Sequence, residues 1–206
     1  MDTKVSYRSI NIECPQIGPK TGSVALMLGE WLEYSSGLLA PLAPATPVVG
    51  LNLTPVPATS VTNDLITFDG VNSTEDRFVM PVANTLVYNT LAVSTFAVGE
   101  LVFQGATLLT ATAVGQVVAD NGSTTMVISP VNGIFTTGSI KGATSGSTAV
   151  FASVTAIAST NIGASADIAA DSISLDVSTI GTGTQFVITQ IISPTQVEVA
   201  VKLLAL

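Results

Sequence analysis

The chain has 206 residues, of which 47% are hydrophobic, 10% charged and 5% aromatic, with six basic residues against fourteen acidic ones, no histidine and a net charge of −8. That length suffices for one large all-β domain or two small ones with a real core. The lack of histidine removes a Ser-His-Asp triad, a Cys-His pair and histidine metal ligation, and six scattered cations against that net charge disfavour nucleic acid.

Residues 1–22 read as an extended N-terminal arm. Val5 and Tyr7, then Ile10 and Ile12, alternate as a strand does, and Lys4, Arg8 and Lys20 supply half of the basic residues. Pro15, Gly18, Pro19 and Gly22 then interrupt any regular element. Alone, such a segment has too little apolar surface to offset its ordering entropy. On a partner it would add as a strand, the alternate side chains giving register. The first eighteen residues hold no apolar signal core, so synthesis in a cytoplasm is expected. A single cysteine, Cys14, allows no internal disulfide.

From Ser23 the pattern becomes short β-runs: "VALML", Gly29-Glu30, "WLEY", Ser36-Gly37. Trp31 and Tyr34 lie together here, either as core-edge aromatics or as interface anchors. "LLAPLAPATPVVGLNLTPVPAT" is too rich in proline for a helix or a central strand and reads as edge strands and loops. "DLITFDG" puts Leu65, Thr67 and Asp69 on one face and Ile66 and Phe68 on the other; "RFVMPVANTLVYNTLAVSTF" supplies further strands.

"LMLGEWLEYSSGLLA" at 26–40 is echoed by "FAVGELVFQGATLLT" at 96–110: apolar, Gly-Glu, apolar pair, small turn, Leu-Leu. The echo suggests a second module, a small β-barrel over 97–155 inserted into a first. Within it, 101–119 is uncharged and about long enough to span a bilayer, but it alternates and carries Gln104 and Gln116, so no membrane partner is expected. "SIKGATSGSTAVFASV" at 139–154 is glycine-rich enough to suggest a phosphate cradle. A phosphate loop needs the lysine after the second glycine and a helix beyond it. Here Gly142 follows Lys141, and a β-branched run follows Gly146, so the stretch is a hairpin.

Beyond the module, "ASADIAADS" at 164–172 is the best candidate for a short helix. The chain closes with "TQFVITQIISPTQVEVAVKLLAL", two β-prone runs joined at Ser193-Pro194-Thr195-Gln196 as a hairpin. Turn signals every ten residues or so indicate a sandwich or barrel. The expected fold is all-β: a β-barrel or β-sandwich body over 23–96 plus 156–206, the extended N-terminal arm, and the inserted small β-barrel module.

Reactive constellations are absent from the sequence. Glu30 and Glu33 read as solvated edge positions, Asp64 and Asp69 as turn residues, and no clustered D-x-D-x-D loop exists for calcium. An enzyme is not expected, nor a metal or any other cofactor. A surface this poor in charge, with mean hydropathy of +0.60, suggests burial against other protein copies.

"SVALMLGEWLEYSSGLLAPLAPATPVVGLNL" resembles the capsid cement or decoration proteins of tailed bacteriophages: a strand, Gly-Asp/Glu, a strand, a glycine turn, then a Pro/Ala/Thr-rich passage ending at Val-Gly. "VGELVFQGATLL" with "GIFTTGSIKGATSGSTAVFASV" is similar to a small β-module that recurs in phage virion proteins. The resemblance rests on glycines and β-formers, covers about two-thirds of the chain and carries no catalytic residue across. It implies a structural protein on the outer face of an icosahedral head, made in the host cytoplasm, that stabilises the capsid by bridging subunits. Its implied partners are the major capsid protein and further copies of itself, with a trimer favoured over a dimer. The candidate interface residues are Val5, Tyr7, Arg8, Ile10, Ile12, Trp31 and Tyr34. Rival readings are another virion β-protein, such as a tail tube, head fibre or receptor-binding subunit, and a secreted adhesin or surface-layer protein.

Overall fold

The computed structural model describes residues 6–7, 16–22, 24–58, 64–71, 76–91 and 96–202. In chain order the strands are β1 (Ser6–Tyr7), β2 (Gln16–Pro19), β3 (Trp31–Ser35), β4 (Leu38–Pro41), β5 (Gly50–Asn52), β6 (Leu65–Gly70), β7 (Arg77–Leu91) and β8 (Leu101–Gln104). They continue as β9 (Ala113–Asp120), β10 (Thr125–Asn132), β11 (Gly138–Gly142), β12 (Thr148–Thr155), β13 (Ser165–Ala166), β14 (Leu175–Asp176), β15 (Phe186–Ser193) and β16 (Gln196–Val201). The helical content among the described residues is two single 3-10 turns, Ser159–Asn161 and Val177–Thr179. The protein is nearly all β, as its β-branched and proline-broken sequence leads one to expect.

The first sheet has the order β2-β6-β5-β3-β4. A parallel bridge from Lys20 to Leu39 brings the first strand back to the last, so the sheet curls almost closed. Inside lie Leu26, Leu32, Leu39, Val49, Ile66 and Phe68. The alternation in β6 holds: Ile66 and Phe68 are buried while Leu65 stands outward.

β7 organises the rest. Its first half pairs with β16, from Arg77 opposite Ala200 to Pro81 opposite Gln196. β1 adds antiparallel at Phe78 and Val79, and β14 adds parallel at Val82 and Ala83. The second half pairs with β10 over Asn84–Val87 and with β12 over Thr85–Leu91. Strands β10, β9, β8, β11, β12 and β7 thereby close a six-stranded barrel. Five of its staves lie within 101–155, and the sixth comes from before residue 97.

One face of β7 serves two cores, because side chains on a strand alternate with period two. Phe78, Met80 and Val82 join Trp31, Phe186 and Val199 in the core between the two sheets. Leu86 belongs to the barrel core with Val102, Met126, Ile140 and Phe151. Asn84, at the changeover, is buried, and its side-chain Oδ1 has no hydrogen-bond partner among the described residues. Gln185 ties the layers together: its Nε2 donates to Ala43 O and Thr46 O at 2.6 and 2.8 Å, and its Oε1 accepts from Ile168 N at 2.8 Å.

The closing hairpin forms as expected, with β15 and β16 paired antiparallel across Ser193 and Gln196. The short helix expected at 164–172 does not form. Asp167 Oδ1 accepts from Thr184 N and Gln185 N at 2.7 and 3.1 Å, and Asp171 Oδ1 accepts from Ile173 N and Ser174 N. Asp171 thus binds amides two and three residues on, which gives the chain a local alternative to a helix, while Asp167 ties the segment to 184–185 and β13 pairs with β15.

Candidate interaction surface

The structure describes three of the seven candidate interface residues, Tyr7, Trp31 and Tyr34. Val5, Arg8, Ile10 and Ile12 lie outside the described residues. Tyr7 contributes its backbone to β1, opposite Phe78 of β7. Tyr34, at the far end of β3, is 53% exposed and available to a partner. Trp31 is not: it is fully buried, edge-on to Phe78 and to Phe186 with ring centroids 5.0 Å away in each case. Burial removes it from the interface set, because a side chain enclosed by β7 and β15 offers nothing to another molecule. Its indole N–H has no partner among the described residues, the cost of using so large a ring to fill the inter-sheet core.

The two Gly-Glu segments fold alike. In each, the glutamate N–H donates to the carbonyl three residues earlier: Glu30 N to Met27 O at 3.2 Å and Glu100 N to Ala97 O at 3.1 Å. Each carboxylate accepts from the amide of that same earlier residue, Met27 N at 2.7 Å and Ala97 N at 2.8 Å. Gly29 and Gly99 take φ of 78° and 86°, in the left-handed region where glycine has no steric penalty. β3 and β8 then leave directly from these turns.

Both glutamates are buried, which corrects the solvated edge position expected for Glu30. Glu30 is desolvated and also feels Asp171, so despite the Met27 amide its pKa is pushed up to about 7. Glu100 follows the opposite course. Burial opposes its charge, but Oε2 accepts from Thr144 N and Ser145 N at 3.2 and 3.0 Å, and these with the Ala97 amide leave its pKa below the usual value. The glycine-rich stretch is a hairpin, β11 paired with β12. Its turn does cradle an anion, and the anion is the protein's own Glu100. No spacing rule on the stretch alone could supply that partner, which comes from about forty residues upstream. Glu33, half-buried, accepts from Ala43 N at 3.0 Å and from the Thr46 hydroxyl, holding the proline-rich loop.

Large apolar side chains project on several sides. Ile17 and Leu65 stand out from neighbouring strands β2 and β6, and Leu108 and Leu109 from the loop after β8. Leu109 is 96% exposed and Val98, at the tip of the second Gly-Glu turn, 70%. Met27, in the first Gly-Glu turn, is exposed as well. The two turns flank a cleft of about 440 Å³, floored by Val117 and Val118 of β9 and closed by the 170–174 loop.

Among the described residues no group of three or more His, Cys, Asp or Glu is placed to hold a metal ion, and no helix is long and apolar enough to cross a membrane. No family model, curated protein or solved structure matches the chain.

Proposed function

We propose that the protein is a structural component of a phage particle, bound to the outer surface of the head and bridging copies of the major capsid protein. The observation that carries this reading is the set of large apolar side chains exposed on separate faces of an all-β body with few charges. Singly exposed apolar residues are ordinary, but Ile17 with Leu65 and Leu108 with Leu109 form pairs that contact with a neighbour would cover. Repeated many times over a shell, modest contacts stabilise without tight single affinity. The resemblance of the Gly-Glu and Pro/Ala/Thr-rich passages to phage decoration proteins supports the same reading. Self-association, with a trimer favoured over a dimer, belongs to it.

Antibody labelling of intact virions tests the assignment. Label distributed over the head is the expected result. Label confined to the tail would move the protein to a tail, fibre or receptor-binding role. Particles lacking the protein should assemble yet release DNA at a lower temperature than complete ones; identical heating curves would remove the stabilising role.

A further inference from the structure

The cleft between the two Gly-Glu turns has the chemistry of a site for one cationic side chain. Its walls are largely apolar, with Met27 from the first turn, Val98 from the second, Val118 from β9 and Ile173 from the 170–174 loop, and Gln116, Ser129 and Ser174 add polar groups. One charged group, Asp171, lies among them. The donors on that carboxylate are neutral groups of its own loop: the amides of Ile173 and Ser174 at 3.0 and 2.8 Å, and the Ser174 hydroxyl at 2.7 Å. Ser174 Oγ also lies 3.1 Å from Ser129 Oγ of β10, which fixes the loop against the barrel. On the other side, Trp31 N donates to Ser172 O at 2.9 Å and Ser172 Oγ to Leu42 O at 2.8 Å. Asp171 is therefore held in place from both sides, as a binding group must be.

We infer that this cleft receives an arginine side chain of a partner protein, its methylenes lying along Met27 and Val98 and its guanidinium on the Asp171 carboxylate. Guanidinium is more weakly hydrated than ammonium, which suits a pocket walled largely by apolar side chains, and one of its N–H groups can take the acceptor site that the Ser174 hydroxyl leaves on Asp171 Oδ2. Gln116 uses its amide to donate to Gly99 O at 2.9 Å and keeps a carbonyl oxygen as a second acceptor at the rim. A volume of about 440 Å³ lies within the usual range of ligand clefts, about 300–1,000 Å³, and leaves room for the residue beside the arginine. Asp171 is the charged group of the cleft lining, and its charge reaches Glu30, buried behind the first turn, whose carboxyl it helps to keep protonated. The inference rests on the cleft alone and holds whichever partner covers the surface.

The test titrates the full chain, followed by amide NMR, with three blocked tripeptides: Gly-Arg-Gly, Gly-Lys-Gly and Gly-citrulline-Gly. The arginine peptide should shift the amides of Val98, Gly99, Asp171 and Ser174 in a saturating way. The lysine peptide should bind several-fold more weakly, and the neutral citrulline peptide should not saturate. Asp171→Asn keeps the Oδ1 acceptor for its loop amides and should weaken the arginine peptide at least tenfold. Val98→Arg, at an exposed turn position that leaves the fold intact, should abolish binding by placing its own guanidinium at the mouth. Equal binding by citrulline or by lysine would overturn the assignment, as would wild-type affinity in both variants.

Discussion

Glu30 and Glu100 hold the same position in two like turns, yet their acidities move apart. Glu30 has its pKa raised from 4.5 to about 7, so its folded form prefers the proton. Its contribution to stability is full below pH 4.5 and is lost as pH rises through about 7. Glu30→Gln should match the wild type near pH 4 and exceed it at pH 8 by no more than about 3 kcal/mol; urea midpoints across that range measure this. A wild-type curve flat from pH 5 to 8 would contradict the argument. Glu100 has the opposite sign: its lowered pKa gives stability that is present above the unfolded value and fades as pH falls through the folded one. Glu100→Ala leaves the amides of Ala97, Thr144 and Ser145 without their acceptor and should cost about 2–3 kcal/mol at pH 7. Trp31→Ala, which empties the space between Phe78 and Phe186, should cost about 3–5 kcal/mol, read as a fall in melting temperature with no change in the isolated protein's association.

At the scale of elements, β7 sets what can be separated from what. The barrel's core includes Leu86 of β7, and its closure needs β7 paired with both β10 and β12. A fragment of 97–155 carries five staves and leaves two edges and an apolar interior open, a state prone to aggregate. A fragment of 84–155 carries all six. The longer piece should give a dispersed amide spectrum and a cooperative melt, and the shorter one neither. A cooperative melt from 97–155 would show that β7 is dispensable to the barrel. Deleting 98–154 should likewise expose Leu86 and Tyr88, so such a variant needs polar residues there to remain soluble.

At the scale of the whole molecule, the question is what the surface meets. Among the described residues β1 holds β7 through two residue pairs, Ser6 with Val79 and Tyr7 with Phe78. Removing residues 2–13 should lower the melting temperature of the isolated protein by no more than a few degrees, since the described part of that span, β1, pairs with β7 over two residues. On the proposed function, the same truncation should weaken binding to bare heads several-fold, because the arm is the segment that would add as a strand to a neighbour. Unchanged affinity in a sedimentation assay would remove the arm from the docking surface.

The sequence by itself determined the class of structure and several of its local pieces. Period-two alternation in 65–70, the Ser193–Gln196 hairpin and the 139–154 hairpin are properties of neighbouring residues, and neighbouring residues suffice to specify them. The repeated Gly-Glu segment was legible for the same reason, since a turn with one left-handed residue is fixed within four positions. Tertiary structure alone decided the rest. That Trp31 is core, that Glu30 is buried beside Asp171, and that Glu100 fills the nest of the 142–146 turn all depend on segments tens of residues apart. So does the barrel's borrowed sixth stave: nothing in the alternation of 77–91 marks where one core ends and the next begins. Burial and hydrogen bonding act at contact distance in space, and the chain's order along its length does not carry that distance.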